Sequence, residues 1–130
     1  PLLESAFARL PGSEDAAAAL ARLYLGRGAA SEAVRTLTPF IGPDRTPKYE
    51  TYVLAAQALR SARETAKAIM ALERAVERYG VNAALMNLMG ECLAEIGRVP
   101  EALAAFERSL SLSPDQPSVR ASIEELKKRK

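Results

Sequence analysis

Residues 83–116 read AALMNLMGECLAEIGRVPEALAAFERSLSLSPDQ, and this stretch decides the fold. Leu85, Leu88, Met89, Cys92, Leu93 and Ile96 step by three and four, the spacing of one face of an α-helix. Leu103, Phe106 and Leu110 resume the step after Gly97-Arg98-Val99-Pro100. Glycine suits the positive φ that ends a helix, and proline suits the first turn of the helix that follows. The spacing therefore predicts two helices joined by a tight turn. Alanine supplies 25 of the 130 residues, so an all-helical fold is expected throughout.

The same pattern recurs. A shift of 34 sets residues 49–82 on 83–116 without a gap, placing Ala68-Ile69 on Ala102-Leu103, Leu72 on Phe106, and Glu73-Arg74-Ala75 on Glu107-Arg108-Ser109. A third copy runs over 14–47, where Leu20-Ala21, Tyr24, Gly28, Glu32-Ala33-Val34 and Leu37 fall on Met89-Gly90, Leu93, Gly97, Glu101-Ala102-Leu103 and Phe106. Its link to the second copy is one residue longer. Self-similarity at such a period is the signature of stacked repeats, each too small to bury its own apolar face.

The pattern resembles the tetratricopeptide repeat, whose 34-residue unit asks for a small residue at position 8, a large one at 11, Gly at 15, Ala at 20, an aromatic or Leu at 24, a small residue at 27 and Pro at 32. Residues 83–116 supply Gly90, Leu93, Gly97, Ala102, Phe106, Ser109 and Pro114 at those places. The small side chains let neighbouring helices approach, and the large ones fill the space between them. Two copies depart from the code. Arg63 stands where the turn glycine belongs, so it either takes a left-handed conformation or the turn is rebuilt, and Gly80 replaces the closing proline. In the first copy Pro39 and Phe40 fall inside the second helix, where proline should kink or shorten it, and Gly42–Pro47 reads as a rigid loop.

The resemblance implies a right-handed superhelical solenoid of antiparallel helix hairpins with about eight helices. Its parts are a half-repeat helix at 2–11, repeats at 14–47, 49–82 and 83–116, and a capping helix at 117–130. The chain begins with Pro1, so it is read as a piece of a longer protein. Leu3, Ala6, Phe7 and Leu10 in the half-repeat form an apolar face lacking its partner helix, which suggests a homodimer or contact with upstream repeats.

Composition removes whole classes of chemistry. Without histidine or tryptophan there is no imidazole base, no His metal ligand and no Cys/His nucleophile pair. Net charge is +2, but Lys127, Lys128, Arg129 and Lys130 supply four of the 18 cations, so the body is nearly neutral and lacks the footprint of a nucleic-acid binder. No apolar run reaches the ~20 residues of a membrane span. The 13 Arg against 5 Lys, with abundant Ala, fits a high-GC bacterial source, while the compartment, cytoplasm or periplasm, stays open. Single glycines at helix ends exclude a phosphate-cradling loop, and Cys92 faces a partner helix as a core residue. No catalytic, cofactor or metal site is expected.

Members of the family hold peptides or protein surfaces on the exposed face of the first helix of each repeat. The positions that line this groove fall here on Asp15, Ala18, Arg22 and Leu25, then Glu50, Val53, Gln57, Arg60 and Ser61, then Ala84, Asn87, Glu91, Ala94 and Glu95. The candidate groove residues are Arg22, Val53, Gln57, Arg60, Asn87 and Glu91. Arg22 and Arg60 suit a carboxylate, Gln57 and Asn87 a peptide backbone, and Glu91 a basic side chain. The Lys that a carboxylate clamp needs is missing, since Ala18, Val53 and Asn87 hold the relevant position. The resulting expectation is a protein-interaction module, with a structural spacer or self-association element of a larger assembly as the alternative.

Overall fold

Three turns of one construction set the path of the chain. Each closes with a backbone bond spanning five residues, from Ala29 N–H to Tyr24 O (2.8 Å), Glu64 N–H to Leu59 O (2.8 Å) and Arg98 N–H to Leu93 O (2.9 Å). The residue before each donor has positive φ, +76° at Gly28, +67° at Arg63 and +82° at Gly97. This is the left-handed helix stop that usually takes glycine. Arg63 adopts it despite its Cβ, so the turn of the second repeat is strained rather than rebuilt.

The computed structural model describes residues 13–42 and 44–129, and among them are seven α-helices and no strand. They are α1 (Glu14–Gly26), α2 (Ala30–Leu37), α3 (Tyr49–Ser61), α4 (Thr65–Tyr79), α5 (Ala83–Glu95), α6 (Val99–Leu112) and α7 (Pro117–Lys128), with a 3₁₀ turn over Thr38–Phe40. The half-repeat expected over 2–11, with Leu3 and Phe7, lies outside the described residues, as does Pro43. Helix starts follow from local chemistry. Ser13 Oγ accepts from Ala16 N–H (3.1 Å) and Asn82 Oδ1 from Leu85 N–H (2.9 Å), satisfying donors that have no partner within the helix. Pro100 and Pro117 sit in the first turns of α6 and α7, where no N–H is needed.

The chain divides into two compact units, 1–71 and 72–130. In the first, Ala17, Ala18, Ala21, Ala33, Leu37, Phe40, Leu54, Ala55 and Ala58 form a buried cluster against which Tyr24, Leu25, Val34 and Ile41 pack. Pro39 has the expected effect: α2 spans 8 residues and tightens into the 3₁₀ turn, which brings Phe40 into the core.

In the second unit Leu85, Met89, Cys92 and Leu93 of α5 are buried, as are Ala102, Leu103, Phe106 and Ser109 of α6. Gly90 explains its own identity: a Cβ there would lie 2.8 Å from two ring carbons of Phe106, inside van der Waals contact. Helix α7 buries Val119, Ile123 and Leu126 and exposes its charged residues, the division expected of a cap.

Candidate functional site

The first helices of the first unit, α1 and α3, are tied to one another by polar side chains. The Glu14 carboxylate accepts from Lys48 N–H (2.6 Å) and from Thr51 Oγ1 (2.6 Å), and Thr51 is buried. Lys48 Nζ donates to Asp15 Oδ1 (2.6 Å), and that hydrogen bond holds the Lys48 ammonium above its usual range. Further along, the Arg22 guanidinium pairs with the Glu50 carboxylate, with side-chain exposures of 49% and 60%. Arg22 was expected to meet a carboxylate from a partner, and the chain itself supplies one. At that exposure the pair is weak and open to exchange.

Glu50, Val53, Gln57 and Arg60 fall on one stripe of α3 because steps of three and four return to the same side of a helix. Gln57 is exposed, Val53 half-buried, and Arg60 half-buried in the last turn, where a cation suits the helix dipole. Ala18, in contrast, is buried in the core of the unit and offers no groove surface.

The second unit presents Asn87 and Glu91 on α5, both half-buried and one turn apart. The Asn87 carboxamide is engaged within the chain: its Nδ2 donates to Gln116 Oε1 (2.8 Å). Gln116 Nε2 in turn donates to Ser109 O (3.2 Å), Ser109 Oγ (2.9 Å) and Ser113 O (2.7 Å). Ser109 Oγ closes the ring by donating to Ala83 O (3.3 Å), one helical turn before Asn87. Asn87 Oδ1 is buried without a donor. Sequence reasoning passed over Gln116, and its only signal was a glutamine at the last position of a repeat, just before the cap.

Cys92, the one cysteine of the sequence, is buried and forms no disulfide. Among the described residues no group of three or more His, Cys, Asp or Glu is placed to hold a metal, and no helix is long and apolar enough to cross a membrane. Two open clefts, one lined by Glu14, Phe40, Asp44, Arg45, Thr46 and Pro47 and the other by Glu107, Leu110, Arg120, Ile123, Glu124 and Lys127, each carry both acidic and basic side chains.

Comparison with known proteins agrees with this architecture. Two family models, each described as tetratricopeptide repeat, match residues 53–117 and 1–59. No curated protein matches the chain. Among solved structures, the crystal structure of MamA superposes with a TM-score of 0.86 at 24% identity, covering 95% of this chain and 72% of that one. The structure of MamA from MSR-1 gives 0.82 at 22% identity, covering 98% and 72%. The first TPR domain of the human RPAP3 protein gives 0.73 at 17% identity, covering 86% and 87%. At these identities the likeness is one of fold. The period, the repeated left-handed turns, the Gly90–Phe106 approach and the family matches together place the chain in the tetratricopeptide repeat family.

Proposed function

We propose that the chain is a protein-interaction module that holds a peptide or partner surface on the outward stripes of its first helices, through Arg22, Val53, Gln57 and Arg60 in the first unit and through Asn87 and Glu91 in the second. The family fold is one of protein–protein interaction rather than catalysis. The observation that carries the assignment to this face is the α3 stripe: charged, amide and aliphatic groups at helical spacing, with Gln57 exposed and the Arg22–Glu50 pair beside it. Such a stripe offers an extended segment a hydrogen-bonding amide, an aliphatic contact and exchangeable ion pairs.

The test is an affinity capture from lysate of the source organism with the native chain and with Arg22→Ala/Arg60→Ala. The double variant should weaken a captured partner by about 1 kcal/mol or more. Unchanged affinity removes the groove assignment. A chain that captures only itself, with a concentration-dependent dimer in sedimentation, supports the alternative of a self-associating spacer.

A further inference from the structure

We propose that Gln116 is an autoinhibitory occupant of the second unit's binding stripe: its side-chain carbonyl takes the hydrogen bond that Asn87 would otherwise offer to a partner's backbone. The inference rests on the binding reading above. It begins with the orientation of one amide. Three acceptors, Ser109 O, Ser109 Oγ and Ser113 O, surround Gln116 Nε2, so the NH₂ end must face them and the carbonyl end must face Asn87. Reversing the amide would set its oxygen against two backbone carbonyls. Gln116 is also the N-cap residue just before α7, yet its side chain caps none of the α7 N–H groups and turns back towards α5 instead.

A carboxamide carbonyl is chemically the same acceptor as a peptide carbonyl. Gln116 Oε1 therefore imitates a bound segment at Asn87 Nδ2. The imitation is incomplete, because Asn87 Oδ1 is left buried without a donor. A peptide in extended conformation carries a carbonyl and an N–H side by side, and rotation of the Asn87 amide towards it would satisfy both atoms. The Asn87–Gln116 contact is thus one good hydrogen bond beside one unmatched oxygen, the balance expected of a contact that a partner displaces, while the three Nε2 bonds keep Gln116 seated next to it. While Gln116 is seated, apparent affinity at Asn87 is reduced by the fraction of molecules in which Asn87 is free.

The experiment uses the full chain labelled with ¹⁵N and, as probe, the blocked dipeptide N-acetylalanine N-methylamide, followed at the Asn87 side-chain amide. In the native chain those protons should exchange with water at least about tenfold more slowly than those of an exposed asparagine. Gln116→Ala should release them and tighten probe binding at Asn87 and Glu91 by about tenfold. Gln116→Met keeps the length and bulk of the side chain without its acceptor and should do the same, so a folding defect in the alanine variant does not block the test. Fast exchange of the Asn87 amide in the native chain overturns the proposal, as does equal probe affinity in native and variant chains. Failure of a released Asn87 to take up the probe removes Asn87 from the binding stripe and also overturns it. The Arg22/Arg60 variant tests the broader binding reading separately, in the other unit.

Discussion

Replacing Gly90 by alanine sets two well-defined effects against each other. In the middle of a helix the change from glycine to alanine normally stabilises by about 1 kcal/mol. Here the new Cβ would stand 2.8 Å, 2.8 Å and 2.9 Å from Cε1, Cζ and Cδ1 of Phe106, whereas ordinary contact begins near 3.4 Å. The obstacle is a whole ring edge, and Phe106 is only 3% exposed, so it has no route into solvent. Overpacking of this kind typically costs about 1–3 kcal/mol. The steric effect should win, leaving Gly90→Ala destabilised by about 1 kcal/mol, with thermal unfolding lowered by about 3–6 °C.

Gly26→Ala is the matched control, because nothing lies within 4 Å of a Cβ there and its φ is not positive. It should stabilise by about 0.5 kcal/mol or more. Far-UV circular dichroism with urea and with heating reads both variants. Adding Phe106→Leu to Gly90→Ala should return part of the loss as a coupling energy of about 0.5 kcal/mol or more. A Gly90→Ala chain as stable as the Gly26→Ala chain would refute the close-approach account of the repeat.

Two further outcomes follow from the turns. Arg63→Gly should stabilise by about 0.5 kcal/mol, since it relieves the left-handed strain at φ +67° while loosening the unfolded chain, and urea unfolding reads the change. Arg98 at the start of α6 holds Glu101 through Nε to Oε1 (2.6 Å) and a second contact from Nη2, and this bond keeps the Glu101 carboxyl below the usual carboxylate range. A depressed carboxyl stabilises above its unfolded pKa of about 4.3 and loses that contribution as pH falls through its lower folded value. Acidification should therefore loosen the first turn of α6, and Glu101→Gln should remove this part of the acid response. NMR titration of the Glu101 side chain and the Ala102 amide checks the sign.

The parts of the fold legible in the sequence are those fixed by backbone chemistry. Gly28 and Gly97 mark left-handed turns because few other residues adopt them, whereas at Arg63 the sequence leaves a left-handed turn and a rebuilt one both open and only the backbone decides for the first. Pro39 shortened α2 because proline removes a donor wherever it sits. Gly90 and Phe106 were readable as a small–large pair because their positions recur.

Side-chain pairing on the stripes was less legible. Arg22 and Glu50 both stood among the groove positions, but their pairing depends on how far α1 is offset from α3. One repeat does not encode that offset. Opposite charges at position 9 of one repeat and position 2 of the next were the available signal. Gln116 was hidden for another reason: it lies outside any helix face, and its carboxamide acts through atoms contributed by α5, α6 and the link to α7.

The claim that the outward stripe of the first helices receives the partner is tested most directly by site-specific photocrosslinking. A photoreactive side chain at Gln57, exposed on α3, is compared with one at Met70, which is 53% exposed on α4 of the same repeat. In lysate of the source organism the account predicts a discrete adduct with another protein from position 57, lost on adding excess unlabelled chain, and none from position 70. An adduct from position 70 alone, or equal adducts from both, would contradict it.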